Sequence, residues 1–275
     1  MEKALKDTLL ELANTLVDIV KKDDVEKATC VSSPKEDKQR EDNEKFEWFL
    51  SQLTYENSFN SDKLDGTNPI YVYWSGGFDS TALVLALWRK YRTTIHTISI
   101  VHKWVPTSKR DKAARTRLMK IFAERGIKIE NIEINVDRHG VCDDRGLGQP
   151  GIWLAQLGNI AASNINVCFG YVRGDDIWHY IKSFRKVWEG FNEIKEAKNS
   201  SLCFPIEFVD KLDILRYIKQ EGLDKICNYC ERDDDDYLGE AEPCGICHSC
   251  TVHNIAMKEL EKLEEKENAE KDKSN

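Results

Sequence analysis

Two clusters of residues in this chain have the types and spacing that chemistry needs. The first is Ser75-Gly76-Gly77-Phe78-Asp79-Ser80-Thr81, delivered by the apolar run Ile70-Tyr71-Val72-Tyr73-Trp74. Two glycines at a strand exit can take positive φ, and the residues after them open a helix whose first N–H groups lack partners. The N–H groups of Gly76, Gly77 and Phe78, with the hydroxyls of Ser75, Ser80 and Thr81, can surround a pyrophosphate at the positive end of a helix dipole. Asp79 cannot donate to phosphate, but its hard oxygens suit a Mg²⁺ ion that bridges phosphate oxygens. The ligand these residues point to is ATP. The second cluster is Cys244-Gly245-Ile246-Cys247-His248-Ser249-Cys250, preceded by Cys227-Asn228-Tyr229-Cys230. Three thiols at two-residue intervals aim successive sulfurs at one tetrahedral centre, and Gly245 permits the tight turn. Cys230 completes a four-thiolate set, with Cys227 as the other candidate. Such a closed set favours a structural Zn²⁺ ion, and an iron–sulfur cluster is the other occupant it admits. His248 and His253, beside three suitable thiols, read as outer residues, and the acidic run Asp233 to Asp236 reads as a solvated loop.

The elements that must position these clusters follow from hydrophobic periodicity. From Pro69 the pattern alternates: strand 70–74, helix 80–90, strand 94–101, helix 109–125, strand 131–136. After a glycine-rich loop over 139–151 come a helix near 152–163, an apolar strand over 165–171, a helix near 177–197, a strand over 202–206 and a helix over 211–221. This order predicts an α/β fold: a doubly wound, mainly parallel sheet with ligands beyond the strand carboxyl ends. Residues 254–275 read as a charged helix fading into a tail. Upstream, 5–21 has helical apolar spacing, 22–44 reads as a polar linker, and Phe46, Phe49, Leu50 and Leu53 suggest a short helix. The expected organisation is an N-terminal helical extension and linker over 1–68, an ATP-binding domain over 69–206, a cysteine-bearing subdomain over 207–258 and a charged tail over 259–275.

Composition narrows the class. The chain has 275 residues, 41% of them hydrophobic, with no apolar stretch near the ~20 residues that span a bilayer. Residues 1–7 begin a charged amphipathic segment without a signal-peptide core, so a cytoplasmic protein is expected. A net charge of −8 argues against broad nucleic-acid binding. The local exception, Lys103, Lys109, Arg110, Lys112, Arg115, Arg117 and Lys120, reads as a solvated helix face with some members near the phosphates. Nine cysteines in a reducing compartment point to metal ligation or buried thiols, and Cys30, Cys142, Cys168 and Cys203 are scattered enough to be the latter.

The loop ends in neither the Gly-Lys-Ser/Thr of a Walker A motif nor a G-x-G-x-x-G string. The SGGFDS string resembles the signature of the PP-loop ATP pyrophosphatase superfamily, whose members cleave ATP between the α and β phosphates and adenylate a substrate oxygen. Together with C-x(n)-C-G-x-C-x-x-C, it resembles the 7-cyano-7-deazaguanine synthase family of the queuosine pathway over about 69–253. The matching features are Ser75 to Thr81, Gly170 after an apolar strand, Pro205 followed by Asp210-Lys211-Leu212-Asp213-Ile214, and Cys230, Cys244, Cys247 and Cys250.

The resemblance implies an adenine nucleotide alpha hydrolase-like sheet with a small C-terminal zinc-binding helical subdomain. It further implies an ATP-dependent ligase that turns 7-carboxy-7-deazaguanine and ammonia into the 7-cyano compound, commonly as a homodimer. By that likeness Asp79, Ser80 and Lys211 are catalytic, Lys211 by neutralising phosphate charge. Ser75 to Thr81 hold pyrophosphate, Ile100 and His102 meet adenine through their backbone, and Arg173, Asp175 and Asp176 face the guanine-like ring. Two strings depart from the family: Pro150-Gly151-Ile152-Trp153 stands for Pro-x-Arg-Asn, and Tyr171-Val172-Arg173-Gly174-Asp175-Asp176 replaces a segment rich in Asp, Tyr and Pro. The alternatives are a related enzyme that joins a deazaguanine to a macromolecule, as in defence, and an ATP-binding subunit without turnover whose N-terminal helices dock a protein partner.

Overall fold

A computed structural model describes residues 64, 67–102, 107–136, 148–173, 175, 177, 180–232 and 243–274. The chain divides into two units, Met1–Lys45 and Phe46–Asn275. The helices expected over 5–21 and near 46–53 lie outside the described residues, as do the loop 137–147, Asp176 and the acidic run 233–236.

Five parallel strands, β1 (Ile70–Tyr73), β2 (Ile95–His102), β3 (Ile129–Val136), β4 (Asn166–Cys168) and β5 (Ser201–Cys203), form one sheet in the order β3-β2-β1-β4-β5. The intervening helices are α1 (Phe78–Tyr91), α2 (Thr107–Glu124), α3 (Gly148–Ile160) and α4 (Ile181–Ile194), followed by α5 (Lys211–Gln220) and α6 (His248–Ser274). Strand β1 is apolar on both sides because helices cover both faces. Ile70, Val72 and Trp74 enter a core with α1, α2, α5 and α6, while Tyr71 and Tyr73 enter another with α3 and α4. Edge strand β3 instead alternates half-buried and exposed residues over most of its length.

The chain winds from β1 out to β3 and then returns to the other side of β1, which makes the carboxyl ends of β1 and β4 the switch point where a crevice opens. Helix α3 starts before the expected 152: Pro150 lies in its first turn, where a missing N–H costs nothing. Strand β4 stops at Cys168 rather than 171. Phe169 N–H still donates to Cys203 O at 3.0 Å, but a Cβ at Gly170 would lie 2.9 Å from Ser80 Cα, so the chain there serves α1 rather than the ladder. Helix α6 begins at His248, inside the cysteine motif, and runs without a break to Ser274.

Candidate functional site

The loop between β1 and α1 is held from several sides. Trp74 N–H extends the ladder to Ile98 O at 2.9 Å, and Gly76 then turns with φ of +91°. Gly77 is the extended N-cap of α1 and makes no side-chain cap, so the first turn of the helix is presented to an outside acceptor. Gly77 N–H donates to Ser75 Oγ at 3.1 Å, and the Ser75 and Ser80 hydroxyls lie 3.1 Å apart, which gathers both hydroxyls at that helix end. Thr81 does not join them. It is fully buried, and its Oγ1 accepts a hydrogen bond from Trp74 Nε1 at 3.0 Å, because the fourth residue of the helix turns toward the core.

Asp79 and Lys211, 132 residues apart, form an ion pair: Nζ is 2.6 Å from Oδ1 and 2.5 Å from Oδ2. Helix α5 therefore delivers the expected lysine to the loop, with its ammonium held on the carboxylate expected to bind Mg²⁺. Ile100 is half-buried near the end of β2, and His102 is that strand's last residue. Arg173 is exposed, with Nη1 3.6 Å from Asp210 Oδ1. Asp175 Oδ2 accepts the Val172 N–H at 2.8 Å, so one oxygen of this carboxylate closes its own turn.

Of the basic stretch, Lys109, Lys112, Arg117 and Lys120 form the expected exposed face, while two members depart from it. Arg110 and Arg115 are each only 3% exposed. Arg115 Nη1 donates to Ser75 O at 2.9 Å, and its side chain packs under Gly76, where a Cβ would come within 2.9 Å of Arg115 Cγ. Burial pushes the Asp111 carboxyl up to about 6, opposed by the hydrogen bond from Asn228 and the charge of Arg115.

The sulfurs of Cys230, Cys244, Cys247 and Cys250 all lie within 4.8 Å of one another. Cys244 Sγ and Cys250 Sγ are 3.8 Å apart, close to the edge of a tetrahedron with ~2.3 Å Zn–S bonds. Backbone N–H groups of Cys244, Cys247 and Cys250 each point at a preceding sulfur at 3.4 Å, and Gly245 takes φ of +72° to allow the turn. The N–H groups of Ile246 and Cys247 pull the Cys244 thiol down to about 6, while burial pushes the Cys250 thiol up. Cys227 stands outside the group. Burial pushes its thiol up to about 12 despite a hydrogen bond with Thr81, which marks it as a buried neutral thiol.

The two clusters meet through Asn228 and Tyr229, which carry no motif, together with Phe78 and His253. Asn228 forms a parallel bridge with Gly77 and donates its N–H to Gly76 O at 3.0 Å. Phe78 packs edge-on to Tyr229 and against His253, whose ring stacks on Tyr229 at 3.6 Å between centroids. Burial and then the charge of Lys211 push His253 down to about 4, so its ring is neutral near pH 7. The only sequence signal for this contact was the pair of residues enclosed by Cys227 and Cys230.

No family model and no curated protein matches the chain. Among solved structures, U34-tRNA thiolase NcsA from Methanococcus maripaludis, with its 4Fe–4S cluster, is similar over 79% of this chain and 74% of that chain. The TM-score is 0.46 and the sequence identity 13%. No helix among the described residues is long and apolar enough to cross a membrane.

Proposed function

We propose that the chain is a PP-loop-type, ATP-dependent ligase that adenylates a deazapurine carboxylate and converts it, with ammonia, to a nitrile: 7-carboxy-7-deazaguanine to 7-cyano-7-deazaguanine. The observation that carries this reading is the SGGFDS loop at the carboxyl end of the central strand, faced by the Asp79–Lys211 pair and braced by the four-thiol lobe. The first turn of α1 with Ser75 and Ser80 would bind the β and γ phosphates. Asp79 would hold a Mg²⁺ ion, which when bound would offset phosphate charge, and the four thiolates would hold Zn²⁺ away from the reacting atoms.

In this reading a carboxylate oxygen attacks the α phosphorus and the bond to the β-phosphate oxygen breaks. The pyrophosphate that leaves is stabilised by the loop N–H groups and by Lys211. Ammonia then adds to the acyl carbon, AMP departs with the former carboxylate oxygen, and an amide remains after loss of a proton. A second adenylation, now on the amide oxygen, lets AMP leave again as the nitrogen gives up its protons to form the nitrile. A carboxylate is a poor electrophile, so the protein's share is positioning and charge stabilisation.

A second reading keeps the adenylation and changes the acceptor. The turn at Asp175 favours it, because Val172 already takes one of that carboxylate's two oxygens. Mass spectrometry of protein, ATP, Mg²⁺, ammonium and 7-carboxy-7-deazaguanine, with Asp79→Ala as control, separates the two. A nitrile absent from the variant supports the first reading, ATP cleavage without nitrile supports the second, and no ATP cleavage with any acid refutes both.

A further inference from the structure

Between the loop and the cysteine cluster lies one residue bonded to both, Asn228, through its side chain to Cys230 and through its backbone to Gly76. Asn228 Oδ1 accepts the Cys230 N–H at 3.2 Å, and Asn228 Nδ2 donates to Cys230 O at 3.3 Å, so the amide is locked to the backbone of a sulfur-bearing residue. The same Nδ2 donates to Asp111 Oδ1 at 2.7 Å. The Asn228 backbone meanwhile holds Gly76 O at 3.0 Å.

That last bond has a geometric consequence. Gly76 C=O and Gly77 N–H belong to one planar trans peptide and point in opposite directions. Fixing the carbonyl on Asn228 aims the N–H at the Ser75 and Ser80 hydroxyls, where Ser75 Oγ receives it at 3.1 Å. Glycine at φ of +91° has little side-chain resistance to a peptide flip, and a flipped peptide would present a carbonyl oxygen to a phosphate. Arg115 secures Ser75 O from the α2 side, which leaves Asn228 as the restraint on the next peptide.

We infer that Asn228 is a positioning residue through which the four-thiolate site sets the phosphate-binding loop, so that affinity for pyrophosphate depends on whether those thiolates hold a metal. The inference rests on the reading of this loop as a polyphosphate site. A metal joining Cys230 to Cys244, Cys247 and Cys250 fixes the Cys230 backbone, the Cys230 backbone fixes the Asn228 amide, and Asn228 fixes the Gly76–Gly77 peptide. The packing of Phe78 on Tyr229 and His253 lies alongside this path.

The test is calorimetric titration of the full-length, zinc-loaded chain with magnesium pyrophosphate, before and after zinc is stripped by a chelator. Wild type, Asn228→Ala and Cys247→Ser are compared, with zinc content and far-UV circular dichroism measured on each sample. Asn228→Ala is expected to keep its zinc and bind pyrophosphate about tenfold more weakly, the worth of one or two hydrogen bonds. Stripped wild type and Cys247→Ser are expected to fall to the same level, while stripping Asn228→Ala costs little more. A purely structural asparagine would instead give losses that multiply. Multiplying losses overturn the inference, as does wild-type affinity in either Asn228→Ala or stripped wild type. Should Asn228→Ala not fold, Cys247→Ser and the stripped wild type decide it alone. Failure of the zinc-loaded wild type to bind pyrophosphate at all would sink the reading of the loop itself, a different result from intact binding without coupling.

Discussion

Replacing Gly170 by alanine tests how the end of β4 shapes the loop. A Cβ there would lie 2.9 Å from Ser80 Cα, 3.0 Å from Ser80 N and 3.2 Å from Asp79 C. All three are backbone atoms in the first turn of α1, so no rotamer change relieves the contact. Carbon atoms settle at about 3.5 Å or more, so the helix start and the β4 exit must separate by roughly 0.6 Å, the difference between 3.5 and 2.9 Å. Overpacking of this kind costs about 1–3 kcal/mol, and at roughly 2–4 °C per kcal/mol the thermal midpoint should fall by about 2–12 °C. The displaced atoms carry Asp79 and Ser80, so pyrophosphate release from ATP should fall about 10- to 100-fold. Gly190→Ala is the control: nothing lies within 4 Å of a Cβ there, the site is inside α4, and about 0.5–1 kcal/mol should be gained with release unchanged. Melting curves and a pyrophosphate assay on both variants decide. A Gly170→Ala protein that melts and turns over like wild type would refute the argument from close approach, and one that only melts lower would refute its link to the loop.

Asp111 gives a pH signature. Burial holds its carboxyl up at about 6, so the native state keeps a proton that the unfolded chain has already released above the ordinary carboxylate range. Stability contributed at this site is therefore greatest in acid, falls as pH rises through that range to about 6, and is flat beyond. Asp111→Asn keeps an acceptor for Asn228 and removes the titration, so its midpoint should gain on wild type between about pH 4 and about pH 7; parallel profiles would show the group does not titrate there. Cys230→Ala should lose bound metal while Cys227→Ala retains it, and cobalt substitution should give the charge-transfer absorption of a tetrahedral thiolate site in Cys227→Ala alone. Arg89→Met should lower stability by about 1–3 kcal/mol, because the Glu221 carboxylate, bonded through both oxygens at 2.5 and 2.8 Å, would be left with the longer contact to Arg125 at 3.4 Å. Urea unfolding of Arg89→Met beside Glu221→Gln measures it, and no change would mean water replaces the pair freely.

Much of the architecture was legible because its signals are short. The apolar run Ile70 to Trp74, the adjacent glycines and the Cys-x-x-Cys spacing each act over a few residues, and each produced the expected element. Errors arose where packing, rather than the string a residue belongs to, chooses a side chain's partner. Thr81 belongs to the same string as Ser80, yet its place one step further round the helix turns it to Trp74. Arg110 and Arg115 carry the charge of a solvated face, but α2 buries both and packs Arg115 against the loop. Asn228 and Tyr229 have no periodicity or motif of their own.

By itself the sequence determined the order of strands and helices, the loop that follows the central strand and the spacing of the three clustered thiols, because periodicity and glycine freedom are properties of neighbouring residues. Only the tertiary structure decided that Lys211 meets Asp79, that Gly170 presses on Ser80, that Cys230 rather than Cys227 joins the other sulfurs, and that Asn228 links them to Gly76. Those contacts exist because winding the parallel sheet outward on both sides of β1 brings distant strand ends and the lobe after β5 to one edge, a closure that no local stretch of residues encodes.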